Sequence, residues 1–363
     1  MKRNMQRDTK HDMNREIVEK IADSVLYEGY ILYPYRPSAL KNRQRWNFGG
    51  LCPSAYADLH GGSESCRAQT ECLVIGAEST LRVKIRFLHL IDRSVASLPD
   101  NFRDLQECSE SDLFFFDSLK VGERTYQTWQ EAAERQIDLP ALSLTSTAAQ
   151  QQRFDFHLPE SKSAEPLTGP QGKLAGAIVR KQNALDFAAY IAIHKLGECL
   201  FKIRLEILNL TSCPEPATLT RDQAMTYSLV STHAILNIRG GEFVSSLDPP
   251  QEYAEVVSSC ANVGLYPVLA GDEAQRTTVL ASPVILYDYP KVAPESAGDL
   301  FDGAEIDEIL TLRILALSDQ EKTEMRQCDE RARRILDRVE SDPDHLARLH
   351  GAMRAVGVEG KRL

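Results

Sequence analysis

The sequence lacks the features that identify several large classes of protein. It has no apolar run of about 18 residues, the length that an α-helix needs to cross a bilayer, so we predict no membrane insertion. It contains neither G-x-G-x-x-G nor G-x-x-x-x-G-K-S/T, the phosphate-binding loops of common nucleotide-binding folds. It also contains no C-x-x-C and no G-x-S-x-G. These absences exclude the commonest nucleotide-binding, paired-cysteine zinc and serine hydrolase signatures.

The net charge and the distribution of cysteines further limit the classes of protein to which this sequence can belong. The net charge is −10 over 363 residues, which argues against a nucleic-acid or membrane-surface binder because such proteins present a broad basic face. The N-terminus is charged and has no apolar core of a signal peptide. The eight cysteines are scattered, unlike the dense disulfide framework of small secreted domains. We therefore predict a soluble cytoplasmic protein with reduced thiols.

Hydrophobic alternation with period two predicts most of the secondary structure as strands. The run LRVKIRFLHLI at 81–91 alternates apolar and basic residues, and residues 187–196 and 199–210 predict a hairpin around Gly197. Helices are predicted at 14–24, 126–137 and 219–229, the last with Thr220 as its N-cap. We predict an α+β fold, with a mostly antiparallel, β-rich core over residues of about 25–290 followed by a helical C-terminal region.

The predicted organisation has five parts. They are a disordered N-terminus (1–13), an N-terminal α+β region (14–158), a linker or mobile loop rich in Pro, Gly and Ser (159–173), a β-rich region with interspersed helices (174–290) and a helical C-terminal region (291–363).

An aromatic and basic turn follows the first predicted strand. No acidic residue occurs between Gly29 and Ala57, and the candidate binding residues of this turn are Tyr35, Arg36, Lys41, Arg43, Arg45 and Trp46. Arginines beside aromatic rings are suited to binding a carboxylate, a phosphate or an acidic partner segment. The alternative is that the tyrosines belong to the core and the bases form a solvated turn.

An acidic segment near the C-terminus is the counterpart of this turn. Besides Asp302, its acids are Glu295, Asp299, Glu305, Asp307 and Glu308, with no Lys or Arg among them. One hypothesis is that the segment docks on the basic turn of this chain or on a partner. The alternatives are acids that favour a helix N-terminus and a hard-metal site built from carboxylates.

A second group of residues suggests metal binding. The candidate ligands Cys52, His60, Cys66 and Cys72 fall within 21 residues and are of the types that bind zinc or nickel. Their spacing differs from that of structural zinc sites, so ordinary scattered thiols are the alternative. His233 follows several hydroxyl residues, but its apolar neighbours favour a core histidine over a catalytic base.

Several long segments are similar to those of a known family. VLYEGYILYPYRPSALKNRQRW at 25–46, QTECL at 69–73, STHAIL at 231–236, FVSSLDPP at 243–250 and SPVILYDYPKVAPESAGDLFDGAEIDEILTLRILALSDQEK at 282–322 resemble bacterial proteins encoded alongside uptake [NiFe] hydrogenases. The resemblance runs from about residue 20 to about residue 350. It implies a process and supplies no catalytic residues.

The resemblance implies an accessory, assembly or maturation protein that binds a hydrogenase subunit or a maturation factor. Two alternatives remain open. One is an enzyme acting on a small anionic substrate through Arg36 and Arg43, with His233 or Glu28. The other is a metal-handling protein that uses the cysteine and histidine set at 52–72.

Overall fold

The computed structural model describes residues 16–26, 49–99, 104–105, 108–144, 150–169, 172–291, 314–328 and 330–341. The chain divides into two compact units. Described residues up to Pro290 belong to the first unit, and described residues from Lys291 onward belong to the second.

The first unit is built from strands that pair antiparallel throughout. The strands are β1 (Arg67–Ile75), β2 (Ser79–Ser97), β3 (Phe114–Phe116), β4 (Ser118–Val121), β5 (Arg124–Gln127), β6 (Trp129–Asp138), β7 (Leu142–Leu144), β8 (Gln150–Leu158), β9 (Ser161–Thr168), β10 (Leu174–Gln182), β11 (Leu185–Lys195), β12 (Leu200–Asn209), β13 (Val230–Arg239), β14 (Glu242–Phe243), β15 (Tyr266–Leu269) and β16 (Thr278–Ser282).

Short helices connect or cover these strands. They are α1 (helical over 16–26), α2 (Ser54–Leu59), α3 (Arg221–Met225) and α4 (Ala254–Ser258), with a 3₁₀ turn at Glu110–Asp112. In the second unit, α5 (Asp319–Cys328) and α6 (Glu330–Ser341) are joined by ion pairs from Lys322 and Arg326 to Glu340. Among the described residues, no helix is both long and apolar enough to cross a bilayer.

Two sheets pack face to face around one core. One has the strand order β14-β1-β12-β11-β8, and the other has the order β15-β16-β13-β2-β10-β9, with β3, β6 and β7 also paired to β2. Alternate residues of each strand point inward, so Phe87 of one sheet meets Phe187 of the other with ring centroids 5.3 Å apart. Each fully buried phenylalanine contributes about 2–3 kcal/mol through removal of apolar surface from water.

The predicted α+β class with a helical C-terminal region is wrong. Strands account for 48% of the structure and helices for 19%, so the fold is mainly β. Residues 126–137, predicted as a helix, lie instead largely in β5 and β6, because β6 pairs with β2 along its whole length. Residues 161–168, placed in a linker by composition, form β9 and pair with β10. In both cases sheet pairing overrides local propensity.

Other local predictions are confirmed. The hairpin falls at β11 and β12, and the alternating run at 81–91 lies within β2. Thr220 caps α3 by accepting a hydrogen bond from the Gln223 backbone amide, and Gln223 returns the bond to complete a capping box. The first helix was predicted to end at Ser24, but residues 25 and 26 are also helical.

Strand β2 continues beyond the sandwich, and its second half forms part of a smaller region that we call the extension. One edge of β2 pairs with β13 and then with β10, while the other pairs in turn with β7, β6 and β3. Beyond the main core, Val95, Val121, Leu167 and Ile178 form a second apolar cluster beneath the β4–β5 hairpin. The extension holds β3 at the margin of the sheet.

Candidate binding surface

The binding residues predicted from the sequence lie outside the described residues. This applies to Tyr35, Arg36, Lys41, Arg43, Arg45 and Trp46, and equally to Glu295, Asp299, Asp302, Glu305, Asp307 and Glu308. The predicted contact between the two segments therefore stays a prediction.

The four predicted metal ligands do not assemble into a metal site. Among the described residues, no group of three or more His, Cys, Asp or Glu side chains is arranged to hold a metal ion. Cys72 lies inside the sandwich core, whereas His60 is exposed and stacks on the ring of Tyr56. Cys66 precedes β1 and is half-buried. The loop that turns at Gly61 and Gly62 does not bring these side chains together as a metal-holding group.

Cys52 has a structural environment. Its Sγ donates to Glu64 Oε2 at 3.6 Å, and Glu64 Oε1 accepts from Arg221 Nε at 2.7 Å. Burial, reinforced by the Glu64 carboxylate, raises the pKa of the Cys52 thiol to about 12. The group is therefore a neutral thiol near neutral pH and lacks the thiolate that nucleophilic cysteines require. Among the described cysteines, none forms a disulfide.

His233 is the core histidine that its apolar neighbours indicated. It is fully buried in β13, and its Nδ1 lies 3.0 Å from the Ser231 carbonyl oxygen. Burial lowers its pKa to about 3, and the neighbouring Arg86 adds to that shift. A histidine with this pKa is a poor general base at neutral pH.

The segments that carry the family resemblance make structural contacts. Ser245 Oγ donates to Asp288 Oδ2 at 2.5 Å, and the other oxygen of Asp288 accepts from the Leu269 amide at 2.7 Å. These bonds tie the loop that follows β14 to the loop that follows β16. Pro283, in the resembling segment 282–322, also lies close to Gly49, because a Cβ atom at Gly49 would be 2.6 Å from the Pro283 ring.

Three consecutive phenylalanines form the most apolar exposed strand of the described structure. Phe114, Phe115 and Phe116 make up β3, and they are 58%, 47% and 47% exposed. Scattered exposed apolar residues are ordinary, whereas a contiguous aromatic group on a surface marks a site of interaction. We therefore identify β3 as the candidate binding surface and call it the aromatic edge.

The register of β3 presents phenylalanine on both faces of the sheet. Phe116 lies opposite Val95 of β2, and Phe115 lies opposite Ala96. Residues that oppose each other in a sheet share a face, and successive residues alternate. Among the described strands, β3 pairs with β2 alone, so its second edge has no strand beside it.

Polar contacts order the turn before the aromatic edge and hold the C-terminal end of the strand. Before β3, the Ser109 amide and hydroxyl both donate to Asp112 Oδ2, at 2.8 and 2.6 Å. After β3, Thr128 Oγ1 donates to the Phe116 carbonyl oxygen at 2.6 Å and accepts from the Val95 amide at 3.0 Å. A strand fixed in this way is already ordered before a partner arrives, which lowers the entropic cost of binding.

The sequence patterns did not predict this surface, although a signal was present. Phe114, Phe115 and Phe116 are consecutive, so they show neither helical nor strand periodicity. Between Asp104 and Leu119 the chain has five acidic residues and no Lys or Arg. An apolar triplet inside a uniformly acidic segment is the pattern that would have drawn attention to it.

Comparisons with known proteins add no identification. No protein-family model matches the chain, and no curated protein matches it. Among solved structures, the Salmonella SPI-1 type III secretion injectisome secretin InvG (residues 176 to the end, open gate state) aligns at 10% sequence identity. The alignment covers 58% of this chain and 46% of the secretin chain, with a TM-score of 0.09, and so carries no argument about fold or function.

Proposed function

We propose that this protein is a binding protein of the cytoplasm, an accessory or assembly factor for a [NiFe] hydrogenase. The observation that carries the binding role is the aromatic edge, three half-exposed phenylalanines held in an ordered strand. Aromatic residues supply much of the energy at protein–protein interfaces because they bury a large apolar area. The hydrogenase subunit or maturation factor as partner comes from the family resemblance of the sequence.

The described chemistry favours binding over catalysis at the residues that had suggested an enzyme. Among those residues, His233 is buried with a pKa of about 3; Cys52, which was predicted as a metal ligand, is a neutral thiol with a pKa of about 12. Neither is tuned to exchange protons or attack a substrate near neutral pH. The enzyme alternative therefore depends on Glu28, Arg36 and Arg43, which lie outside the described residues.

Affinity capture tests the proposed function. The tagged protein is recovered from its native cytoplasm in cells that are making hydrogenase, and the co-purifying chains are identified by mass spectrometry. We expect a hydrogenase subunit or maturation factor with the unaltered protein, and about tenfold less of it with Phe115→Ser. Leu59→Ser is the matched control, because Leu59 is 59% exposed and lies on α2, away from β3 in sequence.

Two results would count against the proposal. Recovery of the unaltered protein alone, from cells shown to contain hydrogenase, would remove the assembly role. Equal recovery of partner with both variants would keep the role but move the interface away from the aromatic edge.

A further inference from the structure

The two edges of the β2 extension differ in how they are protected. In the described sheet the local strand order is β3-β2-β10-β9, so β3 and β9 are its opposite edges. Strand β9 carries Lys162, Glu165 and Pro166, and these charged and proline residues prevent unwanted strand pairing. The sequence of β3 consists of phenylalanine only. Because β3 has only three residues, its shortness limits unwanted pairing, but it lacks the charged and proline residues of β9 and is suited to accept a short strand.

The charge around the aromatic edge selects among possible strands. Asp104, Glu110 and Asp117 are exposed on either side of it, and no Lys or Arg occurs from Asp104 to Leu119. Glu110 pairs with Lys162 of β9 at 2.5 Å, which offsets its charge, so the acids that would complement a basic segment are Asp104 before β3 and Asp117 after it. A segment with positive charge at both ends would complement this field, whereas an acidic segment would be repelled.

The acidic charge around the aromatic edge argues against the binding of a second copy of this chain beside β3. Pairing β3 of one copy with β3 of another would bring the two acidic flanks together in proteins that each carry a net charge of −10. Like charges placed opposite each other in a sheet are destabilising.

We infer that the aromatic edge binds an extended apolar segment of a different protein, flanked by Lys or Arg, by adding it to the sheet as a strand beside β3. This inference rests on the proposed binding function and specifies the chemistry of its partner. Backbone hydrogen bonds would give the affinity, and the phenylalanines on the two faces would cover alternate apolar side chains of the added strand.

Labelled synthetic peptides test the inference on the full chain. The probe is a fluorescent peptide of about nine residues with alternating Val, Thr and Phe and two Lys or Arg residues at each end. The first comparison peptide carries Glu in place of each base, and the second has N-methyl groups on its central amides. Fluorescence anisotropy should show binding of the basic peptide that is at least about tenfold tighter than binding of either comparison peptide.

Protein variants locate the site. Phe115→Ser should weaken binding of the basic peptide by about tenfold, and Asp117→Lys should weaken it while reducing its dependence on salt. Leu59→Ser should bind like the unaltered protein. Thermal melts of all three variants confirm that each remains folded.

Three outcomes would overturn the inference. They are equal binding of the basic and acidic peptides, full binding of the N-methylated peptide, and a monomer–dimer equilibrium that Phe115→Ser abolishes. If hydrogenase chains are captured through Phe115 while the peptides fail, strand addition is wrong and the assembly role stands. If the peptides bind but no hydrogenase chain is captured, the site is right and the partner is wrong.

Discussion

Arg86 places a permanent positive charge beneath helix α1, with 1% of its side chain exposed. Its guanidinium lies 3.3 Å from Glu19 and 2.5 Å from Asp23, both on α1, and 3.7 Å from Glu134 on β6. A buried charge without a partner is costly, so this arginine requires the acidic face of α1. The helix and the strand therefore depend on each other through one residue.

Removing the helix carboxylates should destabilise the protein more than removing the arginine. Glu19→Gln with Asp23→Asn leaves Arg86 buried beside Glu134, and we expect a loss of about 3–5 kcal/mol in the free energy of unfolding. Arg86→Met should cost less, because the carboxylates are partly exposed and can be hydrated.

Urea unfolding of the unaltered protein, the double variant and Arg86→Met measures this difference in the free energy of unfolding. Glu16→Gln is the control, since Glu16 pairs with Lys20 at 3.9 Å on the exposed side of α1 and should contribute less than about 0.5 kcal/mol. A larger loss in Arg86→Met than in the double variant would contradict the dependence of Arg86 on α1.

Two buried histidines should make the protein sensitive to acid. Burial lowers the pKa of His89 to about 4 and that of His233 to about 3, from an ordinary value of 6.5. Because the unfolded chain binds these protons first, the stabilisation is complete above pH 6.5 and is lost as the pH falls towards 4, by about 1.4 kcal/mol per pH unit for each histidine. Burial raises the pKa of Asp23, which acts in the opposite sense.

The histidine pair is tested by unfolding at several pH values. His89→Gln with His233→Gln should flatten the dependence of the unfolding free energy on pH in this window, even if the variant is less stable overall. An unchanged slope would show that other groups cause the sensitivity to acid.

At the scale of elements, β2 is the strand on which the two parts of the sheet depend. Its first half belongs to the sandwich, and its second half supports the aromatic edge and β10. At Gly176 of β10, a Cβ atom would lie 2.4 Å from the Ala96 carbonyl oxygen and 2.7 Å from the Leu119 side chain. The strands and the β4–β5 hairpin can pack this closely only because this position is glycine.

A methyl group at this position should loosen the extension selectively. We expect Gly176→Ala to destabilise the protein by about 1–3 kcal/mol and to raise hydrogen exchange in β3, β4 and β5 before it does so in β11 and β12. Gly197→Ala is the matched control, because its nearest neighbour would be at an ordinary 3.6 Å. Uniform exchange across all strands would show that the extension and the sandwich open as one unit.

The elements predicted correctly from the sequence are those for which the local sequence pattern and the tertiary surroundings favour the same secondary structure. The alternation at 81–91, the hairpin around Gly197 and the cap at Thr220 all follow from local rules, and the structure obeys them. Strand β6 could not be recognised, because its Ala and Glu residues favour a helix and only pairing with β2 makes it a strand. The aromatic edge was missed for a related reason: its exposure is decided by which strands surround β3.

At the scale of the whole molecule, the net acidic charge and the edge of β3 that is unpaired among the described strands together indicate which partners would bind. An acidic chain repels other copies of itself and attracts basic partners over a distance of about one Debye length. The described surface then offers such a partner one apolar strand with a vacant side, on an extension held by the long strand β2. If the proposed function holds, the sandwich supports the extension, and the extension carries the binding surface.

Site-specific crosslinking tests this central claim most directly. A photoreactive p-benzoylphenylalanine replaces Phe115, or Leu59 as the control, in cells that make the hydrogenase, and the adducts are identified by mass spectrometry. We predict an adduct from position 115 to a hydrogenase subunit or maturation factor, through an apolar segment flanked by Lys or Arg, and none from position 59. Adducts from position 59 alone, or none from either position while the partner is still captured, would contradict the assignment of the aromatic edge as the binding surface.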